Sequence, residues 1–388
     1  MVKKSNRKSL MNKKTTSPAL LVQPGLGTTH TKPGGELRSL WIEIPGWCDL
    51  FCPYCFAGTR KVDLNPDNLT LEEYYLLLKE FASMGGKHIA IPGKGEPFYR
   101  DSGLGADNRK ITLEILHYCQ EFDICLTIFT TGHWLDEELI KKMEDYNVVF
   151  LIKFNSSFPE IQNDLVGMCK EDKRFYDYAD LRDKALMQLM KHGYNTPRFG
   201  KTTRLGIVTS VMTRNFEELP QLLRFARNNN LIFDCDTILE HGRGKIFVQE
   251  GGVPPDDQMK KIFEQLQKID AEEFSNHWSI SRSYIGTCCD RFRSHLYVSS
   301  AGDVHPCVGA TSIQLGNLRS ASLADCWDNP VMKIIRNRCY EGKCSRCANF
   351  KEEKCHSCLG RCTTDLTESQ ILNDRCVTTT GCWNFRKE

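Results

Sequence analysis

Cys48, Cys52 and Cys55 stand in the run Trp47-Cys-Asp-Leu-Phe-Cys-Pro-Tyr-Cys55, a C-x3-C-x2-C spacing on what reads as a tight loop. Thiolates held this close bind metal. Four close an iron–sulfur cluster; three leave one iron open to a substrate or cofactor, the arrangement a catalytic centre needs. The competing chemistry is a zinc site that borrows a ligand from elsewhere. Thiols gather again towards the other end of the chain, where twelve of the nineteen cysteines fall between residues 288 and 382. Cys289, Gly302 and Cys307 are separated by twelve and four residues, and Cys344-x2-Cys347, Cys355-x2-Cys358-x3-Cys362, Cys376 and Cys382 follow. Taken alone, such C-x2-C pairs read first as structural zinc.

The chain that must position these thiols has 388 residues, 40% of them apolar and 26% charged. That is enough for two or three domains with a large core, and it excludes disordered, collagen-like and mucin-like classes. Lys and Arg number 51 against 49 Asp and Glu, a net charge of +2, so no global field draws the protein to nucleic acid or a membrane. The basic start is followed by no apolar core long enough for a secretory signal, and no run matches a membrane span. A cytoplasmic location follows as the expectation, with reduced thiols that bind metal rather than pair as disulfides. Residues 1–38, with six Lys or Arg in the first fourteen positions, read as a flexible basic tail. No aromatic residues interleave those charges, so the tail reads as a solvated leader rather than a nucleic-acid arm.

From Leu40 onward, β-rich runs at 40–45, 87–92, 124–130, 147–154, 204–212 and 231–239 alternate with segments of helical period. The first helix opens with a Thr70-Leu-Glu-Glu73 capping box and stops at Gly85-Gly86; others fall near 109–121, 136–145, 178–192 and 216–229. A βα unit repeated in this way predicts an α/β fold with a parallel sheet and right-handed crossovers, either open or an incomplete barrel. Its chemistry belongs at the carboxyl ends of the strands. The expected division is a barrel over 39–245, a helical linker over 246–285 and a small Cys-rich domain over 286–388, folded by metal ligation because it has few long apolar runs.

A C-x3-C-x2-C motif after a first strand resembles the signature of the radical S-adenosylmethionine (SAM) superfamily. The resemblance implies a partial (β/α)6 TIM-like barrel and a catalytic [4Fe-4S] cluster on Cys48, Cys52 and Cys55, its open iron chelated by the amino and carboxylate groups of SAM. In that family the reduced cluster passes one electron to the sulfonium, and a 5′-deoxyadenosyl radical abstracts a substrate hydrogen. An external one-electron reductant such as flavodoxin or ferredoxin is implied as a partner. Tyr54 falls where the family has an aromatic residue beside the adenine. Pro92-Gly-Lys-Gly-Glu-Pro97 is similar to the family's GGEP loop, which places Gly93, Gly95, Glu96 and Pro97 at the cofactor's amino end; Lys94 splits the usual adjacent glycines.

The C-terminal cysteines, with Gly302-Asp-Val-His-Pro-Cys307 and Leu315-Gly-Asn-Leu318, resemble the SPASM extension of these enzymes. That implies two auxiliary [4Fe-4S] clusters. One would use Cys289, Cys307 and Cys362, with Cys288 as a neighbour or substitute, the other Cys344, Cys347, Cys358 or Cys355, and Cys376 or Cys382. Ten residues separate Cys347 from Cys358 where the pattern has five. Cys119, Cys125, Cys169, Cys235, Cys326 and Cys339 have no pattern partner and are expected to be buried small hydrophobes.

Beyond the motifs, Asn155 and Ser156 end the fourth strand and offer polar groups to the cofactor's ribose or carboxylate. Lys153 is odd in an apolar run, and either a substrate or cofactor role or a rim salt bridge would explain it. Glu240 and His241, after the sixth strand, are weaker candidates whose ordinary reading is solvated loop. The expected function is a radical SAM oxidoreductase that oxidises or cross-links a peptide or protein side chain. The alternative substrate is a sugar, nucleoside or other small metabolite. The alternative of another class is a non-enzymatic zinc or iron–sulfur module using the stretch Lys333 to Arg361, where eight basic residues face three acidic ones.

Overall fold

The computed structural model describes residues 35–58, 65, 67–168, 177–281, 284–286, 291–353 and 367–373. Six strands appear where the apolar runs place them: β1 (Ser39–Ile42), β2 (His88–Ile91), β3 (Cys125–Thr130), β4 (Val148–Lys153), β5 (Leu205–Val211) and β6 (Ile232–Thr237). They pair in parallel and in sequence order, the arrangement of an incomplete (β/α) barrel. Side chains alternate across the strands. Trp41, Phe129, Leu151 and Val208 face the barrel interior, while Leu40, Ile42, Ile128, Phe150 and Ile207 enter the core beneath the helices.

The helices follow their signals. Helix α1 (Leu71–Ser83) starts on the capping box: the Glu73 amide donates to the Thr70 hydroxyl and the Thr70 amide to the Glu73 carboxylate. Helices α2 (Asn108–Glu121), α3 (Glu137–Lys142), α4 (Pro159–Leu165), α5 (Tyr178–Lys191), α6 (Leu219–Asn228), α7 (Arg243–Gln249) and α8 (Asp256–Phe274) follow in order. The bidentate Arg227–Asp270 pair, almost wholly buried, ties α8 to α6; removing one member of such a pair costs about 3–5 kcal/mol because a buried charge is left alone.

Two features depart from the reading of the sequence. Leu37 is already in the core, and the amides of Arg38 and Ser39 both donate to the Ser294 carbonyl, so the packed fold begins inside the segment expected to be tail. More consequential is β7 (His295–Val298), which pairs in parallel with β1 from Ser39↔His295 to Ile42↔Val298. With β8 (Asp303–His305) and β9 (Gly316–Asn317) added antiparallel, the sheet runs unbroken from the barrel into the Cys-rich region, in the order β9-β8-β7-β1-β2-β3-β4-β5-β6 among the described residues. Four residues of strand carry no local mark of which edge they will join. Among the described residues no helix is long and apolar enough to cross a membrane.

An ion pair spans the same junction at the surface. Arg319 grips the Glu73 carboxylate with two nitrogens, at 2.6 and 3.2 Å, and donates to the Asp67 carbonyl. The Arg319 hydrogen bonds, helped by those from Thr70, bring the Glu73 carboxyl from its ordinary 4.5 down to about 2. A lowered carboxyl stabilises the fold above its unfolded value and loses that contribution as pH falls towards its folded value. Arg319→Ala is therefore expected to melt below the wild-type chain at pH 7, and the gap in melting temperature should close as pH falls from about 4.5 towards 2. A gap independent of pH would exclude the assignment.

Candidate active site

A cavity of about 240 Å³ opens where the carboxyl ends of the barrel strands converge. Cys48, Cys52 and Cys55 line it from the loop after β1, and Gly93 through Glu96 line it from the loop after β2. Thr130 and Thr131 enter from β3, Lys153 from β4, Ser210 from β5, and Asp234, Asp236 and Arg243 from β6 and the turn beyond it. Val308, beside Cys307, reaches it from the C-terminal region. Trp41, Phe129, Leu151 and Val208 make an apolar wall.

The cysteine loop has almost no regular structure, so its neighbours must fix its path. Glycines do so by bringing backbone against backbone. A Cβ on Gly95 would lie 2.5 Å from the Trp47 carbonyl oxygen, one on Gly167 2.5 Å from that of Phe51, and one on Gly242 2.4 Å from that of Phe56. Gly244 is wedged between the Leu239 and Tyr54 carbonyls, at 2.4 and 3.1 Å from its would-be Cβ. Between the last two glycines, Arg243 Nε donates to the Cys52 carbonyl at 2.9 Å and the guanidinium lies 4.2 Å over the Phe51 ring. The amides of Arg243 and Gly244 both donate to the Cys55 carbonyl. Glu240 is exposed, and neither it nor His241 lines the cavity. The residues that matter here are Gly242, Arg243 and Gly244, whose signal in the sequence is a Gly-Arg-Gly run directly after a strand.

Two hydrogen-bond networks hold the remaining loops. Asp49 accepts from Trp134 Nε1 and lies 3.1 Å from His133 Nε2, while His133 Nδ1 is 2.8 Å from the Thr131 hydroxyl. The hydroxyls of Thr130 and Thr131 and the Thr131 amide donate in turn to Glu96, which is 2% exposed. The Glu96 carboxylate thus latches the β2 loop to β3, and the backbone of its loop faces the cavity. On the other side, Lys94 Nζ donates to the Ser300 hydroxyl at 2.9 Å and lies 3.4 Å from the Glu43 carboxylate. Glu43 also accepts from the Tyr297 hydroxyl and the Ser300 amide. The lysine that splits the two glycines therefore ties their loop to the connection between β7 and β8.

Lys153 belongs to the cavity wall, not to an exposed rim. Burial pushes its ammonium down, opposed by Cys52, Asp234 and Asp236, and Nζ donates to the Ser210 hydroxyl at 2.8 Å. Three sequence expectations are corrected. Pro97 is buried away from the cavity, with its carbonyl accepting from Thr112. Asn155 and Ser156 are fully buried and do not line it. The Ser156 hydroxyl is spent on Glu218, while Asn155 Nδ2 donates to the Tyr54 hydroxyl at 2.6 Å and so acts on the cavity through Tyr54. Both lie past the end of β4, where the Asn155 and Ser156 amides donate to the Gln162 side chain and the Asn155 carbonyl accepts from Asn215, a buried network that turns them away from the cavity.

The sequence profile of the radical SAM superfamily matches residues 42–226, and that of the SPASM iron–sulfur cluster-binding domain matches residues 288–359. The chain belongs to the radical SAM superfamily. GTP 3′,8-cyclase of Pseudomonas fluorescens (strain Pf0-1) is 27% identical over 297 residues, 73% of this chain and 81% of that protein. Fe-coproporphyrin III synthase of Methanosarcina barkeri is 24% identical over 52% of this chain and 44% of that protein. Streptococcus suis SuiB bound to SAM superposes with a TM-score of 0.62 at 16% identity, covering 90% of this chain and 78% of that one. For anSMEcpe with bound SAM the TM-score is 0.55 at 15% identity, covering 82% and 88%. At these identities the two structures share the fold.

The cavity of this radical SAM chain has a donor set that fits an iron–sulfur cluster. Burial, and then the neighbouring thiols, push the Cys48 thiol well up and that of Cys52 to about 12, so a metal that takes thiolates relieves their mutual repulsion. Among the described residues no three His, Cys, Asp or Glu converge on one ion's position; a cluster asks for no such convergence, because each thiolate takes its own iron. In the SPASM region Cys344 is buried and Cys307 and Cys347 are half-buried. Cys288, Cys289, Cys355, Cys358, Cys362, Cys376 and Cys382 lie outside the described residues, as does Cys169. Cys119, Cys125, Cys235 and Cys326 are buried as expected; Cys339 is exposed, which corrects its reading as a core residue.

If backbone approach fixes the cysteine loop, Gly244→Ala should speed amide exchange across residues 51–57 of the metal-free chain and lower iron uptake on reconstitution. Arg243→Ala, which removes one hydrogen bond and a stacking contact, should speed the same amides by about tenfold. Exchange mass spectrometry reads both, and unchanged protection in the two variants would refute the constraint.

Proposed function

We propose that this chain reductively cleaves SAM and uses the cleavage to take a hydrogen atom from a peptide or protein side chain. The observation that carries the reading is the meeting of three thiols, a glycine-spaced loop and a mixed-charge wall in one cavity at the strand ends. Cys48, Cys52 and Cys55 hold the [4Fe-4S] cluster and leave one iron for SAM. When bound, cluster and SAM together would supply a one-electron reductive cleavage that ends in methionine, 5′-deoxyadenosine and a substrate lacking one hydrogen atom.

The residues of this chain bind, orient and enclose. Gly93 and Gly95 let the cofactor's amino end approach the backbone, with Glu96 holding their loop in place. Tyr54, fixed by Asn155, flanks the adenine. Trp41, Phe129, Leu151 and Val208 exclude water from the reacting atoms. Lys153, Asp234 and Asp236 orient the polar groups of the substrate, and their mixed charge suits a peptide's donors and acceptors. Cys307, Cys344 and Cys347, with Cys289 and the C-terminal cysteines, would hold two auxiliary clusters, which would supply an electron acceptor for a net oxidation of the substrate. A flavodoxin or ferredoxin supplies the initiating electron in the reducing cytoplasm.

The fold shared with SuiB, whose structure is also known with its precursor peptide SuiA, supports the peptide substrate. A small nucleotide is the second reading, favoured because the likeness to GTP 3′,8-cyclase extends over 81% of that protein. Anaerobic reconstitution should load about twelve irons per chain, and replacing Cys48, Cys52 and Cys55 by alanine should remove about four of them. 5′-Deoxyadenosine should form with dithionite and SAM and fall to background in that variant; none from the loaded wild type would sink the radical reading. Deuterium carried into 5′-deoxyadenosine from deuterated GTP, and from no peptide, would move the substrate to the second reading.

A further inference from the structure

Lys94 stands between two glycines that the loop cannot exchange. Gly93 has a φ of 86°, and a Cβ on Gly95 would lie 2.5 Å from the Trp47 carbonyl oxygen. Glycine on both sides gives this backbone more conformations than an ordinary loop, and that freedom has to be removed before a ligand can meet its polar groups in one arrangement. Glu96 fixes the residue that follows, through Thr130 and Thr131. Within Gly93–Gly95 the side chain available as an anchor is that of Lys94.

Its ammonium reaches out of the loop to a rigid point. Nζ donates to the Ser300 hydroxyl at 2.9 Å and lies 3.4 Å from the Glu43 carboxylate, with both side chains mostly out of water. Ser300 is fully buried; its carbonyl accepts from the Leu69 amide at 2.7 Å, and its own amide donates to Glu43 at 2.9 Å. The Glu43 amide donates to the Val298 carbonyl at 2.9 Å, and its carboxylate also accepts from the Tyr297 hydroxyl. A carboxylate this enclosed is costly without a cation, and Lys94 supplies one. Glu43 directly follows β1, whereas Tyr297 and Ser300 belong to β7 and the turn after it, so the anchor is the junction at which the C-terminal region joins the barrel sheet. Lys94 lines the cavity; Glu43, Tyr297 and Ser300 do not.

We propose that Lys94 is a positioning residue for the cofactor: held by Glu43 and Ser300, it lets the C-terminal region set the conformation of the Gly93–Gly95 backbone and with it the affinity for SAM. The inference rests on the proposed binding of SAM at this loop, and it adds that the affinity is governed by groups lying outside the cavity. A loop ordered in advance binds without further loss of freedom. One cut from its anchor loses that freedom at the moment of binding, which weakens the complex.

Equilibrium dialysis of SAM against the full, cluster-loaded chain, without reductant, measures the affinity; amide exchange over residues 93–96 of the same chain without SAM measures the loop. Lys94→Met should weaken SAM binding about tenfold and speed that exchange at unchanged iron content, and Lys94→Arg should restore most of both. Ser300→Ala should produce part of the same loss, and introduced into Lys94→Met it should add nothing, because the two substitutions cut one link. Glu43→Gln should weaken binding likewise; should it fail to fold, Ser300→Ala carries the test. If Ser300→Ala changes neither affinity nor exchange, or its loss adds in full to that of Lys94→Met, the proposal is overturned while SAM binding by the wild type leaves the proposed function standing. A wild-type chain that binds no SAM overturns both.

Discussion

The close approach of main chain to main chain around residues 45–58 is the constraint on which the active cavity depends. A loop that presents three thiols to one inorganic cube has to hold them to a fraction of an ångström, and side-chain packing alone adapts too readily for that. Here glycines from the β2 loop, the end of α4 and the turn after β6 press against carbonyls of the loop at separations a Cβ would forbid. The directions differ, so the loop is located rather than merely supported. Arg243 adds a charged donor to the same carbonyl row, giving the turn both a steric and an electrostatic grip.

Around that fixed loop the charges are arranged in opposition. Asp234 and Asp236 supply negative potential, joined by the cysteine thiolates once metal takes them, and Lys153 and Arg243 answer it beside an apolar wall. A single buried cation would be expensive; one placed among carboxylates and thiolates recovers part of its lost hydration as interaction energy. The cost of assembling such a wall is tolerable because the outward faces of the same strands are largely apolar and anchor the barrel beneath its helices.

Much of this arrangement is legible in the residues. The six strands and the α1 capping box announce themselves through local patterns, and the spacing of Cys48, Cys52 and Cys55 states its chemistry without any fold. Lys153 is conspicuous because an ammonium interrupts an apolar run. What local patterns cannot convey is partnership at a distance. Nothing near Asn155 says that its amide serves Tyr54, nothing near Glu43 says that it will meet Lys94 and Ser300, and Cys339 looks like the other unpatterned cysteines until the structure exposes it. Gly242 and Gly244 read as ordinary turn residues because the Phe56 and Tyr54 carbonyls they accommodate lie almost two hundred positions earlier in the chain.

The pairing of β7 with β1 has a consequence for how the molecule is made. Ser39 emerges from the ribosome long before His295, so throughout most of synthesis the first strand has an unpaired edge, open to non-native association. Closing the sheet waits for a contact of very large sequence separation, which slows the last folding step and puts a premium on chaperone protection. The accessory region is consequently no detachable ornament: cutting it away would strip a neighbour from the strand that launches the cysteine loop.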